Sequence, residues 1–220
     1  MIEGQEGLSW ERWRHLCSDV EALGFASLRR SDHLVSLMGD DSRDCIDCWA
    51  SLTVAAEWTK TIEFGPMVSP LTFYRPAVLE ILDFVIASPH VKLRQEPAAM
   101  TARMLRAVSH PHVDLIGHPT GRRPGSREGA SYDFEAVFRA AAENGVAVEI
   151  DCDPARMDLS PELARLAAEC GCTFALSSDA HAPEEFAYVP MAAWMARRAG
   201  ISADRIINWS IDNRFKEPSR

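Results

Sequence analysis

The chain has 220 residues, 47% hydrophobic and 25% charged, which is enough for one sizeable core but short of the roughly 250 residues of a full eight-stranded β/α barrel. A formal net charge of −9 argues against a broad surface for nucleic acid or an anionic membrane and favours a small-molecule ligand. No apolar run nears the ~18 residues of a membrane span and no charged-then-apolar leader opens the chain, so it is expected in the cytoplasm with its six Cys reduced.

Ser9 reads as the N-cap of a helix running to Leu23, with Trp13, Leu16, Val20 and Leu23 on one stripe and Gly24 as its stop. The strand FASLRR follows and ends in Ser31-Asp32-His33, before a polar loop with Gly39, Asp40 and Asp41. A second helix is expected from Ile46 to Trp58, a strand from Thr61 to Val68, a short helix from Pro76 to Ile81 and a third strand from Asp83 to Ser88. Glu96 and Pro97 open a helix to Val108, and Val113 to Gly117 is the fourth strand. Asp133 caps a helix to Asn144 that Gly145 stops, Val146 to Ile150 is the fifth strand, and Ser160-Pro161 opens a helix that Gly171 stops. Thr173 to Ser177 is the sixth strand, and MAAWMARRAG, containing Trp194, is an amphipathic outer helix. This alternation implies an α/β fold with right-handed crossovers between parallel strands. The expected architecture is an incomplete or distorted TIM-like barrel of six to seven strands, in one domain over residues 1–220.

Three of these strands run directly into metal-type side chains: DFVIASPH into His90, VDLIGHPTGR into His118, and TFALSSDAH into Asp179 and His181. In a parallel β/α barrel the C-terminal strand ends share one mouth, so the three endings converge. Imidazole and carboxylate suit Zn, Mn or Fe, and an ion with one open position activates water. Cys45 and Cys48 form a CxxC and Cys170 and Cys172 a CxC, but a zinc ribbon needs two better-matched pairs, so these read as buried thiols. His110 and His112 flank Pro111 at the opposite strand end and are expected in solvent.

The motifs FVIASPH, HPHVDLIGHPTGR, VEIDCDPARMDL and SSDAH, spread from Asp83 to about Ser210, resemble the C-terminal half of a PHP (polymerase and histidinol phosphatase) domain, as attached to bacterial X-family DNA polymerases. The resemblance implies a distorted seven-stranded β/α barrel that holds up to three metal ions and hydrolyses phosphoesters. It also implies His90, His118, Asp179 and His181 as metal ligands. The stretches LSWERWRHLCSDVEALGFASLRRSDH and WASLTVAAEWTKTIEFGPMVSPLTFYRPAVLE are similar to the start of a luciferase-like flavin or deazaflavin monooxygenase, itself a β/α barrel. The chain thus reads as a chimera of residues 1–80 and 81–220, joined between Pro70 and Leu82.

In the PHP register, Ser31-Asp32-His33 stands where that family has TDH. Glu63 precedes His90 by 27 residues, the spacing expected of the family's bridging glutamate. The opening HxH of the family has no counterpart in MIEGQEG. Glu63 also reads as an outward residue paired with Lys60 or an Arg, and Asp32 as a turn cap or an acceptor for His33.

Together these readings point to metal-dependent hydrolysis of a phosphoric mono-, di- or triester. Two ions (Mn, Zn or Fe) held by His33, Glu63, His90, His118, Asp179 and His181 would share a hydroxide that attacks phosphorus, with Asp179 accepting its proton. Arg122, in the loop GRRPGSR, is a candidate clamp on a phosphoryl oxygen, the other reading being a solvated basic loop, and Asp151 adds negative charge at its strand end. Two rival classes are a remnant flavin-dependent monooxygenase and a non-catalytic metal-binding fusion product. Neither GxGxxG nor a P-loop occurs, so no nucleotide, nicotinamide or flavin cofactor is expected. A homodimer is expected, because losing a barrel's first strand leaves an edge that needs cover.

Overall fold

The computed structural model describes residues 2–33, 43–67, 69, 79–80, 82–180 and 183–209. The chain divides into two compact units, Met1–Pro76 and Ala77–Arg220. Both are built from parallel strands joined through helices, an α/β arrangement.

In the first unit, α1 spans Trp10–Ala22, and Ser9 accepts a hydrogen bond from the backbone N–H of Arg12, as an N-cap serine does. β1 is Ser27–Arg30, α2 is Cys48–Trp58 with Asp47 accepting from the N–H of Ala50, and β2 is Glu63–Pro66. The two strands are parallel, with Ser27 opposite Glu63 and Arg30 opposite Pro66. Trp13 is fully buried and donates its indole N–H to the Ser51 carbonyl at 2.8 Å, which ties α1 to α2. Leu8, Cys17, Leu28, Leu52, Ala55 and Ile62 complete this small core. Leu23 does not join the stripe expected of it: it lies past the helix end and is exposed, because Gly24 turns the chain at φ 73° directly after it. The N-terminal segment, read as having no strand, pairs Ile2 alongside Arg30: Ile2 donates to the Arg29 carbonyl and Ser31 donates to that of Ile2. The edge of β1 that was the reason for expecting a homodimer therefore carries backbone partners from its own chain.

The second unit holds a four-stranded parallel sheet in sequential order, β3 (Ile86–Ala87), β4 (Leu115–Ile116), β5 (Ala147–Asp151) and β6 (Phe174–Ser177). Helices α3 (Pro97–Val108), α4 (Phe134–Glu143), α5 (Pro161–Glu169) and α6 (Val189–Arg198) accompany it. Asp133 and Ser160 cap α4 and α5 through the N–H groups of Ala136 and Leu163, and Gly145 and Gly171 leave these helices with positive φ. Every residue of β5 is buried, as a strand covered on both faces must be. Met100, Val108, Val137, Phe138, Ile150, Leu159 and Phe174 are central to its core.

β3 and β4 are shorter than the sequence suggests, since the carboxylate of Asp114 takes the Val85 N–H at 2.8 Å in place of a strand partner. Beyond β6, Asn208 uses its side-chain amide to accept from Leu176 N–H and donate to Leu176 C=O, which covers that sheet edge. In α6 the buried side is Ala192, Met195 and Ala196, while Trp194 faces outward under the Arg198 guanidinium, 4.8 Å from its ring centre. Among the described residues, six strands lie in two parallel sheets, and no helix is long and apolar enough to cross a membrane.

Candidate active site

The ends of β4, β5 and β6 gather the charged side chains of the second unit. Gly117 continues β4, and a Cβ there would collide with Ser88 and Ile86, so only glycine lets the β3 and β4 ends approach so closely. His118 follows with φ 27°, a left-handed backbone that a side chain other than glycine adopts at a cost. Its N–H donates to the carboxylate of Glu149, and the other oxygen of Glu149 accepts from the Ser177 hydroxyl at 2.6 Å. One buried carboxylate on β5 thereby laces the ends of three neighbouring strands together. Burial pushes the Glu149 carboxyl up to about 7 against the pull of both hydrogen bonds.

The His118 ring is buried and meets the exposed His90 ring edge-on, with centroids 4.7 Å apart. Burial first, then the charge of Arg156 and the neighbouring His90, press the His118 pKa down to about 3, so the imidazole is neutral. Its Nδ1 is buried without a hydrogen-bond partner. A neutral imidazole with an unclaimed ring nitrogen beside a second imidazole is a donor set that suits Zn, Mn or Fe.

Arg156, almost wholly buried, supplies the site's cation. Its Nε lies 2.7 Å from Asp179, 3.6 Å from Asp151 and 4.0 Å from Asp153. Asp179 has φ 47°, another left-handed non-glycine residue, two positions past the end of β6. Asp151, fully buried, accepts from the Asp153 N–H at 2.9 Å, and burial, reinforced by Glu149, pushes its carboxyl up to about 8. Asp158 accepts from the N–H groups of Thr120 and Gly121, joining the loop after His118 to the loop after β5.

The expected site residues fare differently. His90, His118 and Asp179 stand at the ends of β3, β4 and β6, with His90 and His118 in contact and Asp179 held by Arg156. His181 lies outside the described residues. His33 follows β1, and its carbonyl accepts from the Cys45 thiol. Glu63, by contrast, is the first residue of β2, level with Ser27 at the start of β1, whereas His33 lies past the far end of that strand. Three strand residues alone put roughly 10 Å between those levels, too far for one shared ion. The Glu63 carboxylate is exposed and pairs with Arg29 at 3.8 Å, the outward alternative. Arg122 donates to the backbone carbonyls of Arg156 and Met157, so its guanidinium braces that turn instead of standing open as a clamp. Among the described residues no three His, Cys, Asp or Glu lie close enough to hold an ion by themselves. His110 is exposed and His112 partly so, with rings 5.7 Å apart. All six cysteines are free thiols.

Glu149, Arg156 and Asp158 were not recognised in the sequence. The signal was there for Glu149: an acid interrupting the apolar run VAVEI, in a strand buried on both faces, demands a partner.

No protein-family model matches the chain. It is 33% identical over 149 residues to the DNA polymerase/3'-5' exonuclease PolX of Bacillus subtilis, covering 68% of this chain and 26% of the polymerase. It is 31% identical over 144 residues to a probable phosphatase of Thermoanaerobacter sp., covering 61% of this chain and 56% of that protein. The chain is homologous to the PHP domain of PolX and to probable phosphatases. It spans about a quarter of the polymerase and just over half of the phosphatase. Among solved structures, a histidinol phosphate phosphatase of Lactococcus lactis, solved with zinc, L-histidinol and phosphate, superposes with a TM-score of 0.52 over 90% of both chains at 15% identity. That likeness shows a shared α/β fold. The monooxygenase resemblance of the first eighty residues, and with it the chimera, finds no support in these comparisons.

Proposed function

We propose that the chain is a metal-dependent hydrolase of phosphoric esters. The observation that carries this reading is His118, a buried neutral imidazole with an unclaimed Nδ1, set on a left-handed strand end against His90. Homology to phosphatases and a fold like that of a zinc-containing histidinol phosphate phosphatase support it.

His90, His118, Asp179 and His181, all of the second unit, would hold the ions. Two divalent ions, when bound, supply Lewis acidity toward the phosphoryl oxygens and activate water. The chain's own residues then have separate tasks. Glu149 fixes the backbone of His118, and so the direction of its ring, by accepting its N–H. Arg156 orients Asp179 through their 2.7 Å ion pair, and Asp179 can accept a proton from the attacking water. Asp158 holds the two loops that border the site. We further propose that the strands form part of a barrel-like arrangement of the PHP type.

The test is turnover of aryl phosphate mono-, di- and triesters by the purified full chain. Activity is expected to disappear on exhaustive chelation and to return with Mn, Zn or Fe. Activity that survives chelation, or stoichiometric flavin in the purified protein, would contradict the reading.

A further inference from the structure

The two loops that carry His90 and His118 also carry two arginines, and both line one cavity. The loop after β4 turns back at once: Gly121, at φ 62°, donates its N–H to the His118 carbonyl at 2.8 Å. A Cβ on Gly121 would press on Leu93 and on the Pro89 carbonyl, so the two loops pack tightly together at this glycine. From that point each loop leads outward. One runs from His90 to Arg94, held by Arg103 donating to the Val91 carbonyl. The other runs from His118 to Arg127, whose Nε donates back to the Gly121 carbonyl at 2.9 Å. Arg94, Gly125, Ser126, Arg127 and Glu128 line a cavity of about 660 Å³ between them.

The charge there is distinctive for so acidic a chain. Arg123 and Arg127 exchange backbone hydrogen bonds across a tight turn, so a third guanidinium is carried on the same turn. Glu128 is the acid among the lining residues, and among the described residues neither Arg94 nor Arg127 forms an ion pair. Burial and the charges of Arg123 and Arg156 lower the pKa of Arg127, as cations crowded together do. Arginine is suited to such a place, since its planar fork meets a phosphate oxygen pair through two parallel hydrogen bonds.

We infer that this groove is a subsite for a second phosphate on the substrate, carried a few bonds away from the ester that is hydrolysed at His90 and His118. The inference rests on the proposed phosphoesterase reading and adds to it a substrate class, small bisphosphorylated molecules. The net charge of −9 disfavours a long polyanion, and the groove is lined by Arg94 and Arg127 with Glu128 as its acid.

The test compares propyl phosphate with propane-1,3-diyl bisphosphate, two probes that differ only in the second phosphate. Binding to the metal-reconstituted full chain is measured by calorimetry, alongside hydrolysis of both. The bisphosphate is expected to bind about tenfold more tightly or better, a gain typical of one charge-assisted contact. Arg94→Gln should reduce that advantage to about twofold or less, and Arg94→Lys should keep part of it. Equal affinity for the two probes, or an advantage undiminished in Arg94→Gln and Arg127→Gln, would overturn the inference. A short single-stranded oligonucleotide that outcompetes the bisphosphate would overturn it too, in favour of a polynucleotide track. Failure to hydrolyse either probe would count against the phosphoesterase reading instead, with the calorimetric preference still deciding the groove.

Discussion

The strand ends of the two units are built on opposite plans. On β5 and past β4, β5 and β6, three acids (Glu149, Asp151, Asp158) and Arg156 are buried, three non-glycine residues (His118, Met157, Asp179) are held left-handed, and buried hydrogen bonds run from strand to strand. The first unit also buries charge, in Arg30 and Asp32, but among its described residues no non-glycine residue is left-handed, and Arg30 donates to the Ile46 carbonyl. Ser31 donates to Gln5, Asp32 accepts from Ser69, and Glu63 stays in solvent beside Arg29. Strain and buried charge each cost free energy and persist where the surrounding structure over-determines them, which is the usual mark of a functional site. The left-handed strand ends are the reason for proposing the chemistry in the second unit.

The largest effect is expected at His118. Replacing it with Ala should lower turnover by more than about 100-fold, exceeding the 10–100-fold typical of residues that merely support a ligand. Far-ultraviolet circular dichroism should stay unchanged, and a variant keeping a tenth of wild-type activity would break the contrast.

Glu149 comes next. Glu149→Ala strands the His118 N–H in a buried place, at a cost of about 1–3 kcal/mol in stability, and should weaken metal binding by roughly tenfold or more. Glu149→Gln keeps an acceptor for that N–H and should recover most of the stability, as read by denaturant unfolding. Equal stability of Ala and Gln variants would show that the lacing of three strands is idle.

Asp151 sharpens the comparison through pH. A buried acid whose folded pKa is raised holds its proton more tightly in the folded chain than in the unfolded one. Its contribution to stability is therefore present at low pH and is lost as pH rises from 3.8 to about 8. Melting of the metal-free chain should fall across that window, and Asp151→Asn, which cannot ionise, should flatten the fall. A variant with the same pH slope as wild type would remove Asp151 from the account.

Glu63 marks the small end. Glu63→Ala and Glu63→Gln should change stability by no more than about 0.5 kcal/mol, as surface substitutions do, and leave turnover intact. A loss of activity in either would make β2 part of the site after all.

Much of the second unit could be read from residues alone, because its signals are local. Asp133 and Ser160 cap the helices that they announce, Gly145 and Gly171 stop them, and the apolar runs between them become parallel strands. The ligand candidates His90 and His118 were legible for the same reason, each following its strand directly. Spacing along the chain left Glu63 with two readings, because it does not say at which end of a strand a residue falls, and pairing puts it opposite Ser27. Sequence left Arg122 as a clamp or a solvated basic loop, because it does not show that the guanidinium has the backbone carbonyls of Arg156 and Met157 within reach. Arg156 went unseen because its partners, Asp151 and Asp179, lie on different strands and meet only when the sheet forms.

Metal content decides between the two plans most directly. Wild type, His118→Ala and Glu63→Gln are each reconstituted with Mn or Zn, freed of loose ions by gel filtration and analysed by atomic emission. Wild type and Glu63→Gln should retain the same amount of metal, and His118→Ala should retain little or none. Equal metal in wild type and His118→Ala, or loss confined to Glu63→Gln, would contradict a site built at the ends of β3 to β6.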